Sequence, residues 1–73
     1  METIKINTET IQLDQLLKWA GIIASGGEVK GLLEDQRIKL NGTIETARRR
    51  KLKIGDVVEI DGIGSWKVAG QDE

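Results

Sequence analysis

The chain has 73 residues, of which 38 % are hydrophobic and 32 % charged, and a formal net charge of -1. These proportions are those of one small soluble globular domain, and no apolar run approaches the roughly 18 residues needed to span a membrane. Cysteine and histidine are both absent, which excludes disulfides, thiolate nucleophiles, imidazole general bases and the usual zinc sites, so we expect a non-enzymatic domain without cofactors.

The N-terminal third predicts a strand and then a helix. Residues 3–6 alternate, with Ile4 and Ile6 on one face, as in a short edge strand. This start is neither basic nor apolar enough for a secretory signal, which favours a cytoplasmic protein. Apolar residues then recur at the spacing of one helix face: Leu13, Leu16, Leu17 and Ala20. Gly21 follows directly and suits the left-handed residue that ends many helices.

A second helix is predicted from residue 25. Ser25 and Glu28 have the spacing of a capping box, in which each side chain binds a free amide of the first turn. The apolar face of this helix consists of Val29, Leu32 and Leu33. Glycines at positions 26, 27 and 31 weaken the helix. Gly31 either permits close approach to the first helix or is simply tolerated.

The C-terminal half predicts antiparallel strands. Residues 37–41 alternate with Ile38 and Leu40 on one face, and Asn41-Gly42 favours a hairpin turn because both central residues need positive φ. We expect residues 43–46 to return with Ile44 inward. A turn at residues 54–56 precedes a strand over residues 57–61, and residues 65–68 pair back with Trp66 inward. Residues 70–73 are expected to fray.

These elements predict an α+β domain, with two packed N-terminal helices against a small, mainly antiparallel sheet of three to five short strands. Its charge is unevenly distributed. The basic segment, residues 37–53, holds seven of the eleven Lys and Arg and one acid, so it carries 7 minus 1, or +6, and the remaining residues carry -7. Its bases are Arg37, Lys39, Arg48, Arg49, Arg50, Lys51 and Lys53. Such segregation indicates a charged partner more strongly than net charge does.

Three interpretations of the basic segment stay open on residue patterns alone. The segment is either an ordinary solvated surface or a phosphate-binding surface, or the chain is a protein-interaction adaptor that binds an acidic partner through it. The second accounts for the run at residues 48–51, expected to lie in a loop, and for Arg37 and Lys39, which share one strand face. Few aromatic residues are present, so a sheet that stacks several bases is not expected.

The order of the pieces resembles the S-four RNA-binding domain family, named after ribosomal small-subunit protein four. The pieces are Leu13-Asp14-x-x-Leu17, Ser25-x-x-Glu28, Arg37-Ile38-Lys39-Leu40-Asn41-Gly42 and Leu52-x-x-Gly55-Asp56-x-Val58. The resemblance covers about residues 11–61, and the segment GIIASGGEVK with the short length looks like the stand-alone bacterial YaaA-type members.

The resemblance implies an α-L fold that binds structured RNA, ribosomal or transfer, along the helices and the first hairpin, with a role in ribosome assembly or translation. By position, the basic residues that follow the hairpin in this family correspond to residues 48–51, and the basic residue at the start of its strand corresponds to Arg37. The basic residues at the start of its second helix correspond to Gly26 and Gly27. Two glycines there leave only backbone amides to hold a phosphate. Gln36 stands where a glycine commonly ends the helix, so that end is expected to shift. Lys18 and Lys30 extend the basic surface or are ordinary solvated lysines.

Four other side chains are assigned structural roles. Trp19 lies on the flank of the first helix stripe, where we expect a half-buried core residue rather than a base-stacking platform. Trp66 is expected to pack on the late hairpin. Asp14 at a helix start and Asp56 after a turn glycine suit carboxylates that bind backbone amides rather than catalytic groups.

Overall fold

A computed structural model describes residues 1–71, so Asp72 and Glu73 of the tail expected to fray lie outside the described residues. The elements follow one another as β1 (Glu2–Ile6), β2 (Thr10–Gln12), α1 (Leu13–Trp19), α2 (Gly26–Glu34), β3 (Ile38–Leu40), β4 (Thr43–Ile44), β5 (Lys51–Lys53), β6 (Val57–Ile60) and β7 (Gly64–Gly70). The α+β class with two helices and a mainly antiparallel sheet is confirmed. The strands within residues 1–71 are more numerous than predicted.

The main sheet has five strands in the order β1-β7-β6-β3-β4. Its two hairpins are antiparallel, whereas β1 runs parallel to β7 with Ile4 opposite Val68. The N-terminal strand is therefore at an edge, as predicted. Gly70 pairs with Ile6, so the expectation that fraying begins at residue 70 was wrong.

A second, two-stranded sheet pairs β2 with β5 and was missed. Lys51 lies in β5 opposite Gln12, so its predicted place in a loop was wrong. Each strand has three residues, too few for an alternating pattern to stand out, and β5 buries a single side chain, Leu52.

The core lies between one face of the main sheet and the two helices. Leu13, Leu16 and Leu17 of α1 are buried as predicted, and Trp66 is 8 % exposed. Ile44 is 44 % exposed because β4 is a two-residue edge strand, so its predicted inward direction was wrong. Ala20 of the predicted stripe is also exposed.

Both helices end in the same hydrogen-bonded motif. At α1 the amide of Gly21 donates to Lys18 O and the amide of Ile22 donates to Leu17 O. At α2 the amide of Gln36 donates to Leu33 O and that of Arg37 to Leu32 O. This pair of hydrogen bonds closes a helix when the residue after its C-cap adopts the left-handed conformation. That residue is Gly21 in α1 and Gln36 in α2, with φ of +74° and +56°. The expected shift of the second helix end was wrong, since Gln36 adopts the conformation of the glycine it replaces.

One expectation for α2 was wrong, and one of the two alternatives for Gly31 is excluded. Ser25 is the N-cap, as predicted, but its side chain makes no capping hydrogen bond, so the capping box was wrong. A side-chain carbon at Gly31 would meet nothing within 4 Å. Gly31 therefore does not serve close packing on α1.

Candidate nucleic-acid interface

The basic loop, residues 45–50, is attached to the first turn of α1. The amide of Leu13 donates to Arg50 O at 2.9 Å, and the amide of Asp14 donates to Arg48 O at 3.2 Å. The first amides of a helix have no partner within it, and Gln12 at the N-cap supplies no side-chain bond. The carbonyl groups of the loop therefore cap α1, and in return the helix fixes the loop backbone.

The loop is anchored a second time at its C-terminal end. β5 follows it directly and pairs with β2, the strand that leads into α1. Leu52 is fully buried between Lys51 and Lys53, which are both exposed. By the alternation of a strand, these two lysines share the face opposite Leu52. The structure thus holds all five bases of residues 48–53 on a short anchored stretch.

The three loop arginines have different surroundings. Arg48 Nε lies 4.0 Å from Asp14 Oδ2 and Arg50 Nε lies 3.4 Å from Glu45 Oε1. The arginine side chains are 43 % and 60 % exposed, whereas those of Asp14 and Glu45 are 17 % and 14 % exposed, so each pair leaves its arginine side chain accessible to solvent. Arg49 is exposed and forms no ion pair within residues 1–71. All three guanidinium groups are thus open to an anionic ligand.

An open groove runs between α2 and the basic loop. It is lined by Lys30, Leu33, Glu34, Gln36, Thr46 and Arg48. Lys30 belongs to the helix and Arg48 to the loop, so the groove brings together two predicted bases that are distant in sequence. We call it the basic groove.

Lys18 lies at the start of α2. A side-chain carbon built at Gly26 would lie 3.9 Å from Lys18 Nζ. The ammonium group of Lys18 on α1 therefore lies close to the first turn of α2. Gly27 is exposed in the same first turn, and the free amides there favour negative charge.

Arg37 and Lys39 are not brought into the basic groove. Arg37 Nη2 donates to Asp61 O at 2.7 Å, and Lys39 lies opposite Glu59 in the pairing of β3 with β6. Both bases line a separate cleft with these two acidic residues. Acidic residues thus share this cleft with both bases, although within residues 1–71 neither base forms an ion pair.

Trp19 is 56 % exposed, so its predicted place as a half-buried core residue was wrong. Its indole Nε1 donates to Lys5 O at 2.9 Å, which holds the ring against β1. The prediction for Trp66 was right: this ring is buried, and its Nε1 donates to Glu2 Oε2 at 3.2 Å.

Sequence reasoning missed three residues of the basic groove: Glu34, Gln36 and Thr46. For Glu34 a signal existed, because residues 26, 30 and 34 recur at the spacing of one helix flank. Thr46 had none, since its place depends on how the loop docks on α1.

Within residues 1–71 no cluster of acidic, cysteine or histidine side chains suits a metal ion. In the same part of the chain no helix is long and apolar enough to cross a membrane.

Residues 4–69, which include both helices and the basic loop, match the S4 domain family model. The chain therefore belongs to the S4 domain family, and the resemblance drawn from its motif order is confirmed over a longer stretch than residues 11–61. It is 48 % identical over 65 residues to the probable ribosome maturation protein RlbA of Bacillus subtilis (strain 168). The match covers 89 % of this chain and 92 % of that relative, so the relative is itself a short protein.

Proposed function

We propose that this chain is a non-enzymatic, monomeric module of the α-L type that binds structured RNA, ribosomal or transfer, mainly through phosphates and shape. The observation that carries the proposal is the basic groove, in which Lys30 of α2 and Arg48 of the anchored loop line one open cleft. Bases held on two rigid elements suit the phosphates of a folded RNA better than a flexible basic tail does.

The ligand contacts are assigned by exposure and by position relative to the basic groove. Arg48, Arg49, Arg50 and Lys30 form the centre of the surface, with Lys51 and Lys53 extending it along β5. Lys18 serves the start of α2, where the amides of Gly26 and Gly27 add backbone donors. Arg37 and Lys39 are peripheral, because they line a separate cleft and not the basic groove.

The name of the Bacillus relative supports a cellular role in ribosome maturation. We propose that the chain acts on ribosomal particles as they assemble, in the bacterial cytoplasm. Phosphate-dominated recognition suits this role, since it reads the shape of a folded RNA rather than a short sequence.

The salt dependence of RNA affinity tests the proposal. We expect the logarithm of the affinity for a structured ribosomal RNA fragment to fall linearly with the logarithm of salt concentration. The double change Arg48→Gln/Arg49→Gln should flatten the slope by about 1.4 to 1.8, since each lost phosphate contact removes about 0.7 to 0.9.

The matched control is Lys5→Gln/Lys67→Gln, which removes the same charge from exposed positions of β1 and β7. It should leave the slope nearly unchanged. An affinity indifferent to salt, or equal effects of the two double changes, would refute RNA binding at this surface. A partner that persists after nuclease treatment and needs Arg48 and Arg49 would favour the protein adaptor instead.

A further inference from the structure

A second groove lies on the flank of α2 opposite the basic groove. Ile22, Leu32 and Ile63 supply apolar side chains to it, and Gly27 and Gly31 supply bare helix backbone. Ile63 is 51 % exposed at the turn between β6 and β7, where solvent exposure of a large aliphatic side chain is unfavourable. We call this the apolar groove.

The two glycines of the apolar groove are not required by the fold. A side-chain carbon at Gly31 would meet nothing within 4 Å, and one at Gly27 would meet only Ser25 Oγ at 3.8 Å. Glycine inside a helix is destabilising relative to alanine. No contact within residues 1–71 compensates for this loss of stability. A ligand that approaches the helix backbone closely would require glycine at these two positions.

The charges of the apolar groove specify what it can bind. Its ionisable residues are Glu28 and Asp35, both exposed and neither in an ion pair within residues 1–71. Among residues 1–71, no lysine or arginine lines it. Two carboxylates repel RNA phosphates, so the occupant combines apolar side chains with positive charge.

We propose that the apolar groove binds a basic, amphipathic segment of a partner protein. The helix α2 would then separate an RNA-binding flank, with Lys30, from a protein-binding flank, with Gly31. The proposal rests on the groove itself and stands whether or not the basic groove binds RNA.

Nuclear magnetic resonance titration of the whole chain tests this assignment. The probes are two helical peptides of equal length, one built from Leu and Lys and one from Leu and Glu, together with a short RNA. We expect the Leu/Lys peptide to shift the amide signals of Gly31, Leu32 and Ile63, and neither other probe to shift them. Shifts confined to other surfaces, equal binding of the Leu/Glu peptide, or shifts of these signals by RNA or by rising protein concentration alone would overturn the proposal.

One substitution separates the site from general charge effects. Gly31→Lys places a positive charge in the groove at a position with free space and replaces a poor helix former with a good one. We expect this substitution to raise the midpoint of thermal unfolding. It should also lower the affinity for the Leu/Lys peptide by about tenfold, as expected for a like charge at a contact site. The control Gln15→Lys adds the same charge on an exposed position of α1. Equal weakening by both changes, or unchanged affinity in Gly31→Lys, would refute the site.

Discussion

Asn41 and Asp56 join two turns that are distant in sequence. Asn41 Nδ2 donates to Asp56 Oδ1 at 3.2 Å, and the amide of Val57 donates to Asn41 Oδ1 at 2.9 Å. Asp56 Oδ2 also accepts from the amide of Lys53 at 2.9 Å. The Asn-Gly and Gly-Asp pieces, each a weak signal alone, are thus halves of one hydrogen-bonded unit that holds the first hairpin to the end of β5.

Removing the Asp56 carboxylate should destabilise the fold. Asp56→Ala leaves Asn41 Nδ2 and the Lys53 amide without their acceptor in a site where Asp56 is only 9 % exposed. We expect the free energy of unfolding to fall by about 2 to 3 kcal/mol, as for bonds to a charged acceptor. Urea unfolding followed by circular dichroism measures it. Asp61→Ala is the control, because within residues 1–71 that carboxylate forms no ion pair, and it should change stability by less than about 0.5 kcal/mol.

Local backbone requirements made part of the fold predictable from sequence. Asn41 and Gly42 have φ of +51° and +85°, as the hairpin turn needs, and Gly21 ends α1 as expected. The pairing of β2 with β5 was not predictable, because Leu52 is the one buried residue of a three-residue strand. The candidate site divides in the same way. The charge of Arg49 is evident in the sequence. The position of Arg37 outside the basic groove is not, because it depends on a hydrogen bond to a carbonyl group 24 residues away.

Introducing glycine at the end of α2 and removing it from the end of α1 should have opposite effects on the free energy of unfolding. Gln36 holds φ of +56°, a conformation that disfavours residues with a side chain. Gln36→Gly should therefore raise the free energy of unfolding by about 0.5 to 1 kcal/mol, after the greater freedom of glycine in the unfolded chain is subtracted. Gly21→Ala should lower it by about 1 kcal/mol. Thermal and urea unfolding of both variants measure the difference, and a loss of stability in Gln36→Gly would contradict it.

Arg49 and Arg37 should separate RNA affinity from stability. Arg49→Gln removes an exposed, unpaired charge, so we expect the salt slope for RNA binding to flatten by about 0.7 to 0.9 with no loss of stability. Arg37→Gln breaks the bond to Asp61 O and should cost about 1 kcal/mol of unfolding free energy, with a slope close to that of the parent protein. Binding and unfolding are measured on the same preparations. A larger slope change in Arg37→Gln than in Arg49→Gln would place the RNA on the other cleft.

Lys18 and Gly26 should behave as one binding position. Lys18 Nζ lies 3.9 Å from where a side-chain carbon of residue 26 would be, so it can present the positive charge that a basic residue at the helix start would carry. Lys18→Gln should flatten the RNA salt slope by about 0.7 to 0.9, and adding Gly26→Arg to that variant should restore it. Gly26→Arg in the parent protein should increase RNA affinity less than it does in the Lys18→Gln variant, because Lys18 and the new arginine then repel each other. A double-mutant cycle with RNA affinity as the readout tests this non-additivity, with Lys5→Gln as the control. Additive effects, or Lys18→Gln indistinguishable from the control, would show that Lys18 does not act at the start of α2.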